Sequence, residues 1–259
     1  ARNVLIHNIS GPYEGLPRTA AWGYPEPYTR DLLISSLGII ASGDEQLLDS
    51  LKLVLETLAE NLSELGHAPS LVHDPTDLGA SDTTPLFLLA TALYRRVTGD
   101  EDFLSSETAR ALNWMDHQSP GNHTVVTQQP TSDWRDEQWV LGYGLYVNSL
   151  IHMYLKLFGE NEKAQTVAEL MEGKFKIPGK PYYALWTYKN FRSTRFDLLG
   201  NSLAILSGAI PEDRAVKILD WVEGKCEKLR ERGDLAIDLT PVLLPFIGPK
   251  DPEWRPRYE

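Results

Sequence analysis

Apolar residues in this 259-residue chain recur at helical spacing, and two kinds of predicted helix alternate along it. One kind is apolar on nearly all sides, which predicts a helix buried among its neighbours. The other kind carries one apolar stripe at steps of three and four, which predicts an amphipathic outer helix. The apolar kind is predicted over residues 31–42, 85–97, 145–158 and 198–206, and the amphipathic kind over 47–65 (ending at Gly66), 103–115, 163–171 and 215–229. The one predicted strand covers residues 182–186.

An acidic residue precedes or begins each of the four apolar helices. These acids are 51, 54 and 61 residues apart, and a repeat of this length built from two helices indicates a helical array. Long pairs with one buried member favour a closed α/α toroid, in which all inner helices begin at one end. We therefore expect an all-α fold with the four acids in one cleft, although each alone could be a helix N-cap. They are Asp31, Asp82, Asp136 and Asp197.

The densest candidate chemistry lies in residues 131–139, where three acids, one arginine and two tryptophans fall within nine positions. A carboxyl beside indole rings can be partly desolvated, so its pKa rises and it can hold a proton near neutral pH. A tryptophan face also suits a sugar ring. The alternative is a polar loop that caps a helix, with Trp134 and Trp139 simply packed. This stretch alone favours neither interpretation.

Aromatic and hydrogen-bonding side chains also surround two of the other acids. Aromatic rings mixed with Asp, Asn and Arg are typical of a carbohydrate-binding surface, because sugars present apolar ring faces and many hydroxyls. Packing of long loops is the alternative explanation for several of these rings. Trp22, Tyr24, Tyr28 and Arg30 precede Asp31, and Tyr182, Tyr183, Trp186, Tyr188 and Arg195 precede Asp197.

Composition narrows the class of protein. The apolar fraction of 42% and the charged fraction of 24% are those of an ordinary globular domain. A formal net charge of −11 argues against nucleic acid and anionic membranes as partners. The single cysteine, Cys226, fits a reducing compartment, and we expect a cytoplasmic protein. Self-association stays open.

Several other chemistries find no support in the sequence. It contains no His-Glu-x-x-His or paired-cysteine metal motif, no Gly-x-Ser-x-Gly elbow and no glycine-rich phosphate loop. A carboxylate-driven reaction on a neutral substrate, without metal or cofactor, is what remains.

Four stretches resemble signature sequences of (α/α)6 glycoside hydrolases, above all the neutral/alkaline invertases and the amylo-α-1,6-glucosidase domain of glycogen-debranching enzymes. The order and spacing agree over nearly the whole chain. The stretches are Tyr-Thr-Arg-Asp at 28–31, Ser-Asp-Thr-Thr-Pro-Leu-Phe at 81–87, Asp-Trp-Arg-Asp at 133–136 and Phe-Asp-Leu-Leu-Gly-Asn at 196–201.

The resemblance implies a division of roles. The general acid of the debranching group lies in a Trp-x-Asp stretch, which falls on Asp136 here, with Asp133 as the alternative acid. Trp134 would shape the leaving-group side. The implied reaction is inverting hydrolysis of sucrose or an α-glucoside by two carboxylates. Arg30, Asp31 and Asp82 match sugar-holding positions, and Arg135, Asp197, Asn201, Trp22 and Tyr28 are further substrate-binding candidates.

Two departures from the family pattern stand out. In these families the second carboxylate follows a Tyr-His-Asn-Gly-Gly-like stretch, whereas residues 251–259 end this chain where that stretch would begin. Four helix pairs also cannot close a ring of six, so we expect a single toroid domain over residues 1–259 that is cut at both ends. The second departure is Asn148, because the relatives often carry an acid near Tyr146.

Two other functions compete with hydrolysis. A sugar 2-epimerase on a similar toroid would place histidines as proton carriers at the starts of inner helices. None of the histidines occupies such a start in the sequence, and His152 lies inside a predicted inner helix. A non-catalytic sugar-binding or scaffold protein stays open, because the expected base is missing.

Overall fold

The structure is a computed structural model that describes residues 2–20, 23–119, 125–130, 132–136, 138, 140–235 and 239–254. The chain divides into two compact units, Ala1–Gln118 and Ser119–Glu259. Within the described residues, helices form the bulk of both units and the strands are only two or three residues long. No helix among these residues is long and apolar enough to cross a membrane.

The first unit holds two helical hairpins and a short N-terminal helix. Inner helix α2 packs against α3 and α4, and α4 packs against α5. The two apolar helices therefore lie side by side, as the hydrophobic pattern predicts. The helices are α1 (Arg2–Asn8), α2 (Thr29–Ser42), α3 (Glu45–Glu60), α4 (Thr83–Thr98) and α5 (Ser105–His117).

The amphipathic helix α3 ends earlier than predicted. Its last residue is Glu60, and Asn61 closes it by donating its backbone N–H to Thr57 and Leu58. Gly66, predicted to stop this helix, lies in the following turn at φ 100°, where a Cβ would come within 2.3 Å of the Arg110 carbonyl oxygen. The glycine thus permits close backbone packing and does not end the helix.

The second unit repeats the hairpin arrangement. Inner helix α6 packs against both α7 and α8. Helix α9 is held by an aromatic cluster, in which Trp221 lies 4.5 Å from Tyr182 and 5.0 Å from Phe196 between ring centroids. The helices are α6 (Leu145–Leu157), α7 (Asn161–Phe175), α8 (Leu198–Ser207) and α9 (Glu212–Glu231).

Short antiparallel strands position the starts of the inner helices in this unit. A four-stranded sheet has the order β1-β2-β3-β4, with Tyr143 opposite Thr127 and Thr187, and its strand β2 runs directly into α6. Strand β5 pairs with β6 and runs directly into α8. The strands are β1 (Thr127–Gln128), β2 (Gly142–Gly144), β3 (Trp186–Tyr188), β4 (Phe191–Arg192), β5 (Phe196–Asp197) and β6 (Leu243–Leu244).

The strand prediction for residues 182–186 was largely wrong. Only Trp186 of that range lies in β3, while Tyr183 makes an isolated bridge to Lys176. The aromatic run is buried by packing and not by ladder pairing, which explains why its composition looked like a strand.

Candidate functional site

In the second unit the side chain of Arg135 is buried between two carboxylates. Its Nη1 donates to Asp197 Oδ2 at 2.9 Å, its Nε donates to Asp133 Oδ1 at 3.2 Å, and its Nη2 donates to Asp133 Oδ2. All three side chains are at most 2% exposed. Buried charges need such pairing, because an isolated one would lose its hydration without compensation.

The first turn of α8 fixes the position of the Asp197 carboxylate. As the N-cap residue, Asp197 also accepts a hydrogen bond from the backbone N–H of Gly200 at 3.1 Å. A Cβ on Gly200 would come within 2.5 Å of Asp197 Oδ2, so only glycine lets the carboxylate lie there. Asp197 is therefore both the N-cap that its sequence position suggested and a partner of Arg135.

Asn201 supports the same turn. Its Oδ1 accepts from the backbone N–H of Tyr183 at 3.0 Å, and its Nδ2 donates to the carbonyl oxygens of Asp197 and Tyr183. The amide of Asn201, which was predicted to bind substrate, therefore holds two loops together in the structure.

The loop that carries Arg135 is fixed by Asp133. This carboxylate also accepts hydrogen bonds from Gln128 Nε2 and from the Arg135 backbone N–H, both at 3.0 Å. The partly exposed Trp134 stacks near the guanidinium, whose Cζ lies 5.2 Å from the ring centroid. Arg135 thereby links this loop to the start of α8.

The two carboxylates that share Arg135 differ in their electrostatics. Burial raises the pKa of Asp197 above its ordinary value, and the nearby charge of Asp133 adds to this, while Arg135 opposes it. Burial acts in the same sense on Asp133, but the charge and hydrogen bonds of Arg135 outweigh it and lower the pKa. Asp133 therefore keeps its charge, and Asp197 is the member that more readily takes a proton.

The candidate general acid, Asp136, lies at the surface. The sequence led us to expect a desolvated carboxyl against indole rings, but the buried acidic position in this turn is taken by Asp133. Glu137, Trp139 and Thr131 of the same stretch lie outside the described residues. The catalytic role of Asp136 stays a prediction.

The first unit contains a matching arginine–aspartate bridge. Arg30 donates from Nε to Asp82 Oδ2 at 2.6 Å and from Nη2 to Asp82 Oδ1 at 3.0 Å. Asp82 is fully buried at the N-cap position of α4, yet its side chain makes no capping hydrogen bond. Its carboxylate serves the ion pair instead of the helix end.

The other predicted residues of the first unit lie around this bridge. Asp31 is exposed in the first turn of α2, and Tyr28, directly before that helix, is partly buried, which raises its pKa. The Tyr28 ring packs edge-on against Tyr24 at 6.3 Å between centroids. Trp22 lies outside the described residues.

The two bridges follow one pattern. In each unit an arginine that begins or precedes one inner helix binds the aspartate at the N-cap of the next, across 52 residues in the first unit and 62 in the second. In each unit an exposed aspartate follows that arginine, Asp31 in one and Asp136 in the other. The Arg-Asp dipeptide at residues 30–31 and 135–136 is a sequence signal that could have indicated this pattern. Convergence of all four acids on one cleft stays a prediction.

Contacts that the sequence did not reveal hold the candidate acid loop from another side. Gln138 Nε2 donates to Glu253 Oε2 at 3.0 Å. Arg195 donates to Asp251 Oδ2 at 2.9 Å and to the Pro245 carbonyl oxygen. The segment that follows β6 is thereby tied both to the loop before α6 and to the strand before α8.

One histidine that bears on the epimerase alternative, His67, is engaged in other contacts. His67 lies beside the first turn of α4, but its Nδ1 contacts Thr84 Oγ1 at 3.0 Å and its Nε2 contacts the Leu78 carbonyl oxygen at 2.9 Å. Burial lowers the pKa of His67 and so favours the neutral imidazole ring. Both ring nitrogens of that ring are engaged by these two contacts. His123 lies outside the described residues. Among the residues described, no group of three or more His, Cys, Asp or Glu side chains could hold a metal ion.

No protein-family model and no curated protein matches the sequence. Solved structures of a wild-type glycosidase and of a glycosidase variant in complex with glucose are similar to it, each with a TM-score of 0.56 at 15% identity. The similarity covers 83% of this chain and 65% of theirs. It confirms the predicted all-α fold class of toroid type, and the chain spans less than two thirds of the length of those glycosidases.

Proposed function

We propose that this chain belongs to a glycoside hydrolase that acts on a neutral oligosaccharide or glucoside, with sucrose or an α-glucosidic linkage as the substrate. The observation that carries the proposal is the buried Asp133–Arg135–Asp197 network, which holds the loop of Asp136 against the start of an inner helix. The likeness in fold to glycosidases supports it. Sugar recognition and acid catalysis both require such rigid support beneath an exposed carboxyl.

The geometry suggests how the predicted site residues divide their work. Two ion pairs position loops: the partly buried Arg30 binds the buried Asp82, and the buried Arg135 binds the buried Asp197. Asp31, Tyr28 and Trp134 are the predicted residues that keep surface for a sugar. Substrate specificity would then depend on this second group.

The proposed reaction is inverting hydrolysis. The protonated carboxyl of Asp136 gives its proton to the glycosidic oxygen as the bond to the anomeric carbon breaks. A second carboxylate takes a proton from the water that attacks the opposite face, at a carboxyl separation of roughly 6.5–9.5 Å. Catalytic contacts often tighten only in the substrate complex. A bound sugar would exclude water from the carboxyl of Asp136.

A non-catalytic carbohydrate-binding function is the second candidate, and the exposure of Asp136 favours it. Incubation of the full-length protein carrying this chain with sucrose and a panel of α-glucosides, with the product anomer followed by NMR, separates the two. Hydrolysis that releases the inverted anomer and is lost in Asp136→Asn supports the hydrolase. Calorimetric binding of the same sugars without turnover would favour the binding protein.

A further inference from the structure

A cationic pocket of about 340 Å³ lies beside helix α9. The C-terminal half of α9 forms one wall, and the segment Leu244, Pro245 and Phe246 forms another. Lys180, from the loop after α7, completes the rim. A volume of this size suits one sugar-sized ring and is too small for a macromolecular segment.

The wall formed by α9 and its C-cap residue Arg232 is a continuous helical face. Trp221, Lys225, Lys228 and Arg232 follow one another at steps of four, three and four, so their side chains lie in one row. All four line the pocket. The spacing therefore gathers three cations beside one aromatic ring.

The pocket is lined mainly by positive charges, although the protein as a whole is negatively charged. The chain has a formal net charge of −11, yet four cationic side chains line the pocket with one carboxylate, Asp234. That carboxylate is paired with Arg232 at 2.9 Å. Within the described part of the chain, Lys180, Lys225 and Lys228 have no carboxylate within ion-pair distance. Three ammonium groups thus remain available to an anion.

The floor of the pocket is aromatic and fixed. Tyr182 is buried, and its hydroxyl donates to the Thr194 carbonyl oxygen at 3.1 Å. Trp221 packs against it but stays partly exposed, with Lys225 Nζ 5.6 Å from the indole centroid. Phe246 is 51% exposed at the rim. A ligand with an apolar ring face can rest on these rings while its anion meets the lysines.

We propose that this pocket binds a sugar-sized anion, a phosphate ester or a carboxylate on a single ring. Lysines act on such groups as point charges with several donors each, and partly exposed aromatic rings add a surface for the ring face. The proposal stands apart from the hydrolase function, because none of the cationic side chains that line the pocket belongs to the candidate site.

Isothermal titration calorimetry at low ionic strength tests the proposal with glucose 6-phosphate, glucuronate, inorganic phosphate and glucose. The test variant is the double substitution Lys225→Gln and Lys228→Gln. The matched control is Lys52→Gln with Lys217→Gln, which removes the same charge from two exposed helical lysines that already pair with Glu56 and Asp213. Equal melting temperatures of both variants exclude a folding artefact.

We expect glucose 6-phosphate or glucuronate to bind more tightly than both glucose and phosphate. Each pocket lysine removed should weaken binding roughly tenfold or more, so the double variant should bind about a hundredfold more weakly. Binding should be unchanged in the control. Preference for the first ligand identifies a phosphate ester, and preference for the second identifies a carboxylate. Glucose binding as tightly as the anions, phosphate alone binding as tightly as the ring compounds, absence of binding, or equal losses in both variants would each overturn the proposal.

Discussion

The guanidinium of Arg135 donates to the carboxylate of Asp197 at 2.9 Å, joining two loops that are 62 residues apart in the chain. Both side chains are at most 2% exposed. Removal of one member of a buried pair leaves the other without hydration or partner, which costs more than the pair contributes when intact. Arg135 carries two such partners, since Asp133 shares it.

We therefore expect Arg135→Met to lower the free energy of unfolding by about 3–5 kcal/mol, measured by urea denaturation. The matched control is Arg232→Met, because the ion pair of Arg232 with Asp234 is exposed at 65% and 50%. Exposed pairs contribute only about 0–1 kcal/mol. Similar losses in the two variants would contradict a central role for the buried network.

The predicted acid can be separated from its buried neighbour by two substitutions. In an active full-length protein, Asp136→Asn should lower kcat by roughly 10² to 10⁴, with KM largely kept, because it removes a proton donor. Asp133→Asn should mainly lower the melting temperature, because Asp133 is buried and fully engaged with Arg135 and Gln128. A severe kcat defect in Asp133→Asn together with a mild one in Asp136→Asn would exchange the two roles.

The helices were predictable because they depend on local periodicity. Helix α4 is buried, with residues such as Phe87 and Leu88 fully enclosed. Its apolar run predicts this burial without any information about the neighbouring helices. The strands were not predictable in this way. Pairs of residues such as Thr127–Gln128 are too short to show alternation, and tertiary context alone selects them.

The candidate site shows the same division. The sequence pointed to Asp133, Arg135 and Asp197 as chemical candidates, but the partner of each charge depends on which loops meet in space. For the same reason the sequence could not show that Asp133, and not Asp136, takes the buried position. The tie between Gln138 and Glu253 spans 115 residues and left no local signal.

That long-range tie should control the mobility of the candidate acid loop. Glu253→Ala removes the acceptor of Gln138 and a charge 3.3 Å from Arg195. A partly exposed contact to a charged group contributes about 1 kcal/mol, so its loss should raise the equilibrium constant for local opening roughly fivefold. Hydrogen exchange of residues 132–136 and 138 should show this increase, while Glu227→Ala, which alters an exposed glutamate on α9, should leave the exchange unchanged.

Stability should fall as the pH is lowered because His152 is buried in α6. Burial, assisted by Lys156, lowers its pKa from 6.5 to about 4. The unfolded chain therefore takes up a proton before the folded protein does. Stability is fully present above pH 6.5 and declines toward pH 4, by at most about 1.4 kcal/mol per pH unit from this group.

Thermal melts across that range check the assignment. His152→Leu should flatten the pH dependence, because the proton-binding group is gone. His117→Gln, at an exposed histidine of α5, should leave the dependence as it is. An unchanged slope in His152→Leu would mean that other groups, such as the carboxylates, set the acid sensitivity.

Helices α8 and α9 leave apolar side chains exposed to water. Leu206 of α8 is 70% exposed, and Val216 and Leu219, one turn apart on α9, are each 52% exposed. Leu198 and Leu199 are only partly buried. By contrast, ten of the thirteen residues of α6 are buried. Uncovered apolar area of this kind favours association, at ~25 cal/mol for each Å² removed from water.

We therefore expect this 259-residue chain on its own to associate as its concentration rises, which sedimentation velocity would detect. Leu206→Lys should shift the distribution toward monomer, because a charge at that position opposes burial of the α8 surface. Leu65→Lys, which alters a similarly exposed leucine (66%) in the first unit, should not. A chain that stays monomeric at high concentration would show that exposure of these apolar side chains does not drive association. Equal shifts in both variants would attribute the effect to net charge and not to the α8 surface.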